Sequence, residues 1–415
     1  MFKTLLKEFK FRKLFNNYTK NIIFFFKKKK NTFYFGIDPT FHTLHLGHLL
    51  GLSIINKLYY LGYKNVIIVL GVGTTLINRN YNIKVINKNI KYLKKILKKL
   101  IYNKNIKIIN NYKWLKKINL LKFITNILNK FSIYPILKNQ LIKTKIKNNI
   151  PLKLTDIIYH LLQGYDYFYL NKKFKCLLQI GGADQWYNII TGIKIIKLNN
   201  KYNTVHGFTY PLLLNNKGEK FSKSNKKVNN IWINPKLTSI YNFSQYFINL
   251  SDEIAIKYFK YFSNLNILKI KFIIKNHLKN KKSKLIQYNL LKFFIIWIYG
   301  KKIYKEIIKV LDCLFYSKTK IKNNIYLIKK YIPNIYIKFT FNKNNKINFY
   351  DIIKYNKVIF KSYSEYKRYI NNSGILLING TPIKNNIIEK NKIINNKYIF
   401  IQKGKKKYFL LIIKR

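Results

Sequence analysis

The stretch Thr32-Phe33-Tyr34-Phe35-Gly36-Ile37-Asp38-Pro39-Thr40-Phe41-His42-Thr43-Leu44-His45-Leu46-Gly47-His48 decides how the first half of this chain folds. Thr32–Ile37 is rich in aromatic and β-branched residues and reads as a short strand. It runs into Asp38 and Pro39, which punctuate it. From Leu46 the apolar residues recur at helical spacing as far as Leu61, and Gly62 stops them. Asn65–Leu70 is a buried-strand run, followed by Gly71-Val72-Gly73. Strand, loop, helix and strand in that order make a parallel α/β unit.

The alternation continues outward from this unit. Leu5–Phe15 reads as a helix before it. After it come a basic amphipathic helix at Ile90–Ile101, a strand at Ile106–Ile109 and a helix at Leu154–Leu170 following Pro151. Phe174–Ile180 is a strand running into Gly181-Gly182, and Asp184–Ile196 is a helix again. The expected class is α/β, with an open Rossmann-like parallel sheet and ligands beyond the carboxyl ends of its strands. Twelve of the 16 glycines lie at or before Gly218, so tight turns are concentrated in the first half. From Pro235 to about Tyr331 the pattern is helical. After Pro333 the texture changes again: a short helix at Ser362–Asn372 and strands at Ile375–Ile378, Tyr398–Gln402 and Tyr408–Ile413. These shifts divide the chain into 1–226, 227–335 and 345–415. Internal repeats are not evident.

Composition bounds the partners. The net charge is +68, from 81 Lys+Arg against 13 Asp+Glu. A polyanion, nucleic acid above all, is the physical reading. The lysines are spread over the whole chain, however, beside abundant Asn, Ile, Tyr and Phe, all residues with AT-rich codons. Genome bias therefore takes the larger share, and charge alone supports RNA binding weakly. Cys176 and Cys313 are too few for a disulfide framework or a cysteine zinc site, and fit a reducing compartment. No window holds the ~20 apolar residues of a membrane helix. Leu290–Tyr299 is short and carries Lys292, and Lys27–Lys30 close the Asn21–Phe26 run. No clear secretory or transit segment opens the chain.

Four constellations carry chemistry. His45 and His48 stand three apart at a helix start. The bland alternative is a half-buried or surface pair, and a metal pair lacks further ligands. A helix N-terminus, however, offers N–H groups and a positive dipole end to phosphates, and His there can donate to phosphoryl oxygens. Gly47 leaves room for a flat adenine. Lys220-Phe221-Ser222-Lys223-Ser224 follows the loop-like Asn216-Lys217-Gly218-Glu219. Lys-x-x-Lys recurs by chance in so basic a chain, yet two ammonium groups on a loop can neutralise a leaving pyrophosphate. Gly181-Gly182-Ala183-Asp184-Gln185-Trp186 leaves a strand and opens a helix. Asp184 there is a cap, a ribose ligand, or both. Tyr159, Gln163 and Asp166 share one helix face at i, i+4, i+7, either a solvated stripe or a polar lining able to read an amino group and a phenol.

In this order the segments closely resemble the bacterial-type tyrosyl-tRNA synthetases, class I aminoacyl-tRNA synthetases. The resemblance runs through Tyr34–Thr40, Leu44–His48, Asn110-Asn111-Tyr112-Lys113-Trp114-Leu115, Leu162–Asp166, Gln179–Asn188 and Thr209–Ser224. It continues through Asn234–Ser239 and Tyr258–Phe262, and through Ser364–Lys384 and Gly404–Leu411. It implies a catalytic domain, a helical anticodon-binding domain and a small α+β RNA-binding module like ribosomal protein S4. It also implies roles: Tyr34 and Asp166 on the substrate phenol, Tyr159 and Gln163 on its ammonium, Gln185 near its carboxylate. Asp38 and Asp184 would position amino acid and ribose. Thr40, His45, Lys220, Ser222 and Lys223 would hold the phosphates, with Gly36, Gly47, Gly182 and His48 lining the ATP site. The implied substrates are tyrosine, tRNA(Tyr) and ATP with Mg2+, with no protein-bound metal. The implied state is a homodimer away from membranes, in the cytoplasm of an AT-rich, reduced-genome bacterium or in an organelle.

One departure stands out. Arg79 falls on a position at which the family usually has an Asp that contacts the substrate amine, and the reversed charge would repel an ammonium. A degenerate, purely RNA-binding synthetase is therefore the chief competitor. A tryptophan enzyme and a small nucleotidyltransferase with a His-x-Gly-His turn follow. Tyr34 with Asp166 opposes the tryptophan enzyme, and everything beyond Gly218 opposes the nucleotidyltransferase.

Overall fold

Six short strands form the central sheet: β1 (Asn17–Tyr18), β2 (Thr32–Ile37), β3 (Val66–Leu70), β4 (Lys107–Asn110), β5 (Cys176–Gly182) and β6 (His206–Tyr210). In the computed structural model their order is β1-β6-β5-β2-β3-β4, antiparallel only between β1 and β6. The structure describes residues 2–78, 81–133, 137, 140–200, 204–214, 218, 230–315, 318–338, 346–355, 357–372, 374–383, 387–389, 393–404 and 407–414.

All five residues of β3 and of β6 are buried, as expected for parallel strands covered on both faces. On one face Tyr34, Ile67 and Val69 pack against Tyr167 and Leu170 of the helix Leu154–Phe174 and against Ile189 and Ile193 of the helix Trp186–Asn199. On the other lies the helix Leu46–Tyr60, apolar nearly all round. Its Gly51 lets it settle close, since a Cβ there would come within 2.5 Å of Phe35 and 2.7 Å of the Tyr210 hydroxyl.

The structure shifts several sequence-based boundaries. Phe174 is the last residue of its helix. Lys175 then takes a left-handed turn at φ 51°, and the strand begins only at Cys176. The helix expected from Ile90 begins at Ile83, because the Asn82 side chain caps it by accepting from the Lys84 N–H at 2.8 Å. The one expected from Asp184 opens as a 3-10 turn at Ala183–Gln185, with α-helix from Trp186. Strands β1 and β6 were not legible: one is two residues long, and the other has Gly207 as the second of its five residues.

The chain packs as two units, Met1–Leu237 with Tyr246–Phe293, and Thr238–Gln245 with Phe294–Arg415. Besides the sheet, the first holds the helices Asp252–Phe262 and Ile267–Lys279. Two buried cations converge on the carboxyl end of Asp252–Phe262. Lys57 Nζ donates to Ser263 O (2.7 Å), Asn264 Oδ1 (3.0 Å) and Phe262 O (3.2 Å). The Arg12 guanidinium donates to Ser263 O and Leu265 O, both at 2.6 Å, and to Lys260 O at 2.9 Å. Carbonyls left over at a helix end, and its negative dipole pole, suit cations.

In the second unit the helices Lys301–Phe315 and Ile325–Tyr331 precede a five-stranded sheet. Its strands are β7 (Asn334–Lys338), β9 (Leu376–Ile378), β10 (Thr381–Pro382), β12 (Tyr398–Lys403) and β13 (Lys407–Lys414). Their order is β10-β9-β12-β13-β7, with β7 parallel to β13. The short pair β8 (Lys346–Asn348) and β11 (Ile387–Glu389) and the helix Tyr363–Asn371 join the same core, around Phe349, Phe360, Tyr366 and Leu411.

Candidate active site

Parallel pairing puts the carboxyl ends of β2, β3, β4 and β5 side by side, with Asp38, Gly71, Asn111 and Gly182 at the rim. Gly36 is exposed between the buried Phe35 and Ile37, and a Cβ on it would meet no atom within 4 Å. The space above it is open. Gly71 and Gly182 mark the opposite situation: a Cβ would fall 2.5 Å from Asp38 Oδ1 and 2.7 Å from Asp184 Oδ1 respectively. Both carboxylates thus lie against bare backbone at the rim. Asn89 Nδ2 donates to Pro39 O at 2.9 Å and holds the Asp38-Pro39-Thr40 loop. The Thr40 hydroxyl oxygen is buried without a hydrogen-bond partner among the described residues.

The two histidines cap their own helix. His45 Nδ1 accepts from the Gly47 N–H (3.1 Å), and the His45 N–H donates to His48 Nδ1 (3.3 Å). His48 Nδ1 also lies 3.4 Å from His45 O, but the backbone N–H can only donate and therefore makes Nδ1 the acceptor. In a neutral ring the proton then sits on Nε2, a donor suited to a phosphoryl oxygen. The rings are 3.9 Å apart, His45 5 % exposed and His48 half-buried. Trp232 packs edge-on against His45 at 5.6 Å. Beside it Leu46 N–H donates to Ile231 O (2.9 Å) and Ile233 N–H to Leu44 O (3.1 Å). Lys220, Ser222 and Lys223, like Arg79, lie outside the described residues. The chain that follows the lysine stretch is nevertheless tied to the His45 turn.

Deeper in, Tyr34 and Asp166 are buried together, 2 % and 4 % exposed. Both Asp166 oxygens accept hydrogen bonds, one from Trp114 Nε1 (2.8 Å) and one from Asn111 Nδ2 (2.9 Å). Asn111 in turn accepts from the Gly73 N–H at 2.8 Å. Burial pushes the Asp166 carboxyl up to about 7; the two donors oppose this and the Asp38 charge adds to it. The same burial, with Asp166 next in weight, holds the Tyr34 phenol well above its ordinary range. The Tyr34 hydroxyl has no hydrogen-bond partner among the described residues. Gln179, beside it in register on β5, also has a buried unpartnered oxygen. This end of the cleft thus holds polar atoms in waiting.

One helical turn away, Gln163 Nε2 donates to Gln185 Oε1 at 2.6 Å. Asn188 Nδ2 bridges the pair, donating to Gln163 Oε1 (2.6 Å) and Gln185 Oε1 (2.9 Å). Its own oxygen pairs with His160 Nδ1, and burial lowers the pKa of that ring. Tyr159 and Gln163 are half-buried and Asp166 buried, so the i, i+4, i+7 face is no solvated stripe. Asp184 is exposed at the rim.

Sequence reasoning gave no role to Asn111, Trp114, Asn188 or Trp232. The Asn110–Leu115 segment was visible as a motif, but nothing in it points to a carboxylate far along the chain. Asn188 carries a weak signal, one turn beyond Gln185.

A parallel sheet whose first crossover helix begins at His-x-Gly-His, with its cleft at the carboxyl strand ends, is the class I synthetase fold. Residues 27–315 match the family described as tRNA synthetases class I (W and Y), and this chain belongs to it. It is 33% identical to the tyrosine–tRNA ligase of Wigglesworthia glossinidia brevipalpis over 434 residues, covering 99% of each chain. It is 33% identical to that of Onion yellows phytoplasma (strain OY-M), covering 92% of each. Among solved structures, a C-terminally truncated mitochondrial tyrosyl-tRNA synthetase of Aspergillus nidulans has the same fold. There the TM-score is 0.65 at 23% identity, over 75% of this chain and 94% of that one.

Proposed function

We propose that this protein is a tyrosine–tRNA ligase, which joins tyrosine to the 3′ end of tRNA(Tyr) at the expense of ATP. The observation that carries the amino-acid choice is the buried Tyr34 hydroxyl beside the buried Asp166 carboxylate. A substrate phenol would give the Tyr34 hydroxyl its partner and Asp166 a further donor, and phenylalanine would leave the Tyr34 hydroxyl unpaired, an argument already familiar for tyrosine-specific synthetases.

In the first step a tyrosine carboxylate oxygen attacks the α-phosphorus of ATP. The bond from that phosphorus to the bridging oxygen of pyrophosphate breaks. A terminal tRNA ribose hydroxyl then attacks the adenylate carbonyl, and AMP leaves. No covalent enzyme intermediate is required; placement and charge neutralisation suffice. Tyr159 and Gln163 take the ammonium, Gln185 the carboxylate end, and Asp38 and Asp184 the amino acid and ribose. Thr40 and His45 hold the outgoing phosphates, and the role proposed for Lys220, Ser222 and Lys223 is to neutralise them. His48 and the bare backbone of Gly36, Gly47 and Gly182 accommodate the nucleotide. Magnesium arrives with ATP. With Arg79 at the usually acidic place, amine recognition rests on Tyr159 and Gln163.

The domain assignment is part of the proposal: 1–226 catalytic, 227–335 anticodon-binding and 345–415 an S4-like RNA-binding module. So is a homodimer in the cytoplasm. Leu120, Leu121, Ile146, Ile150 and Leu154 are exposed on the segment whose buried members Phe123, Ile127, Ile142 and Leu161 share one apolar cluster, and a second copy would cover them. Sedimentation velocity reads that state directly.

Tyrosine-dependent ATP–pyrophosphate exchange tests the activity, with phenylalanine and tryptophan as controls. Exchange with tyrosine alone is expected. A folded, tRNA-binding protein without exchange would move the reading to a purely RNA-binding synthetase.

A further inference from the structure

His160 and Asn188 touch the cleft only through other side chains. His160 lies on the helix Leu154–Phe174, one residue beyond Tyr159, and Asn188 on the helix Trp186–Asn199; both are buried. The two helices meet on bare backbone. A Cβ on Gly164 would come within 3.1 Å of the Gly192 nitrogen, and one on Gly192 within 3.2 Å of Gly164 O. So close a crossing fixes the distance between the imidazole and the amide.

The hydrogen bonds from this pair run in one direction. Asn188 Nδ2 has two hydrogens, and both are taken, one by Gln163 Oε1 (2.6 Å) and one by Gln185 Oε1 (2.9 Å). Its Oδ1 is therefore the atom that meets the His160 ring. That oxygen can only accept, so His160 Nδ1 carries a proton. Burial lowers the pKa of the ring and favours its neutral form, with Nδ1 protonated and Nε2 bare. This is the tautomer opposite to that of His45 and His48, whose Nδ1 atoms accept backbone N–H groups.

At the far end, Gln185 Oε1 receives the Asn188 hydrogen and another from Gln163 Nε2 (2.6 Å). The oxygen is occupied, which leaves the Gln185 amide NH2 for the cleft. The reverse order would fit the same space. Asn188 turned over would accept from both glutamines, and Gln185 would present its oxygen instead. An amide and its flipped form have the same shape, so only the partners choose between them. The choice has a consequence at the carboxylate end of the substrate, where N–H groups attract and a carbonyl oxygen repels.

We propose that His160 is a positioning residue: by donating from Nδ1 to Asn188 it sets the direction of the whole amide chain, so that Gln185 offers N–H groups to the substrate carboxylate. The role rests on the tyrosine reading of the cleft, but the tautomer does not.

Two measurements on the full chain test it. The first is nitrogen NMR of protein labelled with 15N-histidine, without substrate. The chain has 6 histidines, and the His160 signals are those lost in His160→Asn. His160 Nδ1 should carry the proton and Nε2 should not. A bare Nδ1 with a protonated Nε2 would overturn the proposal. The second is calorimetric titration at pH 8 of tyrosine and of tyramine, which lacks the carboxylate. Asn and Asp have nearly the same shape, but Asn can donate to Asn188 and an ionised Asp can only accept. His160→Asn should bind tyrosine within threefold of wild type. His160→Asp should bind it at least tenfold more weakly, the scale of a hydrogen bond to a charged group. Tyramine affinity should change less than threefold in both. Equal losses for tyrosine and tyramine in His160→Asp, or equal losses of tyrosine in the two variants, would reduce His160 to a packing role. Circular dichroism checks folding, and if His160→Asp does not fold, the wild-type tautomer decides alone. Wild-type protein that binds no tyrosine would refute the reading of the cleft. Tight tyrosine binding with a bare His160 Nδ1 would refute the positioning role alone.

Discussion

Replacing Tyr34 by Phe should make the empty protein more stable and the tyrosine complex weaker. The Tyr34 hydroxyl is buried and unpartnered among the described residues, and the oxygens of its neighbour Asp166 already accept from Asn111 and Trp114. A buried hydroxyl without a partner costs about 1–3 kcal/mol. Removing one oxygen keeps the ring, which packs against Tyr167 with centroids 5.3 Å apart. The unliganded variant should therefore gain about 1–2 kcal/mol, a midpoint roughly 2–6 °C higher for a unit of this size. A bound tyrosine would lose one hydrogen bond, a net of about 1 kcal/mol or roughly fivefold in Kd. Saturating tyrosine stabilises only the folded state, so the midpoint rise it produces should shrink in the variant. Thermal melts with and without tyrosine, and calorimetric titration of tyrosine and phenylalanine, read all these quantities. A Tyr34→Phe protein that melts below wild type without ligand, or rejects phenylalanine as strongly as before, would refute the reasoning.

Other perturbations have equally definite outcomes. The raised Asp166 pKa means the folded state holds its proton up to about 7, against about 4 for an unfolded carboxyl. Its contribution to stability is therefore present in full below about 4 and is lost as the pH rises through about 7. The ionised form accepts from a phenol, so tyrosine Kd should fall between pH 6 and pH 8, and Asp166→Asn should flatten that dependence. Gly36→Ala meets no atom within 4 Å, so its melting midpoint should stay within about 2 °C of wild type, while the methyl group enters the cleft and pyrophosphate exchange falls at least tenfold. Lys57→Met removes the donor to Phe262 O, Ser263 O and Asn264 Oδ1. Chemical denaturation should show a loss of about 2–4 kcal/mol, with Arg12 still serving Ser263 O.

The sheet was legible because its signals are local. Thr32–Ile37 and Leu46–Tyr60 carry periodicity and punctuation within a few residues, and the observed elements agree closely with the reading. The edge strand Asn17–Tyr18 was not, since a two-residue strand has no period and exists only through its pairing with Phe208 and Thr209. The histidine turn was visible as a helix start. Its own chemistry, with each ring accepting a backbone N–H, needed coordinates.

The sequence alone therefore determined the α/β class, the place of the cleft and the residue types in it, because helix and strand periods, glycine and proline act over short spans. Only the tertiary structure decided that Asn111 and Trp114, more than fifty residues before Asp166, grip its carboxylate. It alone joined Gln163, Gln185 and Asn188 into one network, and left Tyr34 buried without a partner among the described residues. Hydrogen bonds between distant segments depend on how the helices Leu154–Phe174 and Trp186–Asn199 pack over the sheet, and desolvation depends on everything packed around a group. Neither has a period that can be read along the chain.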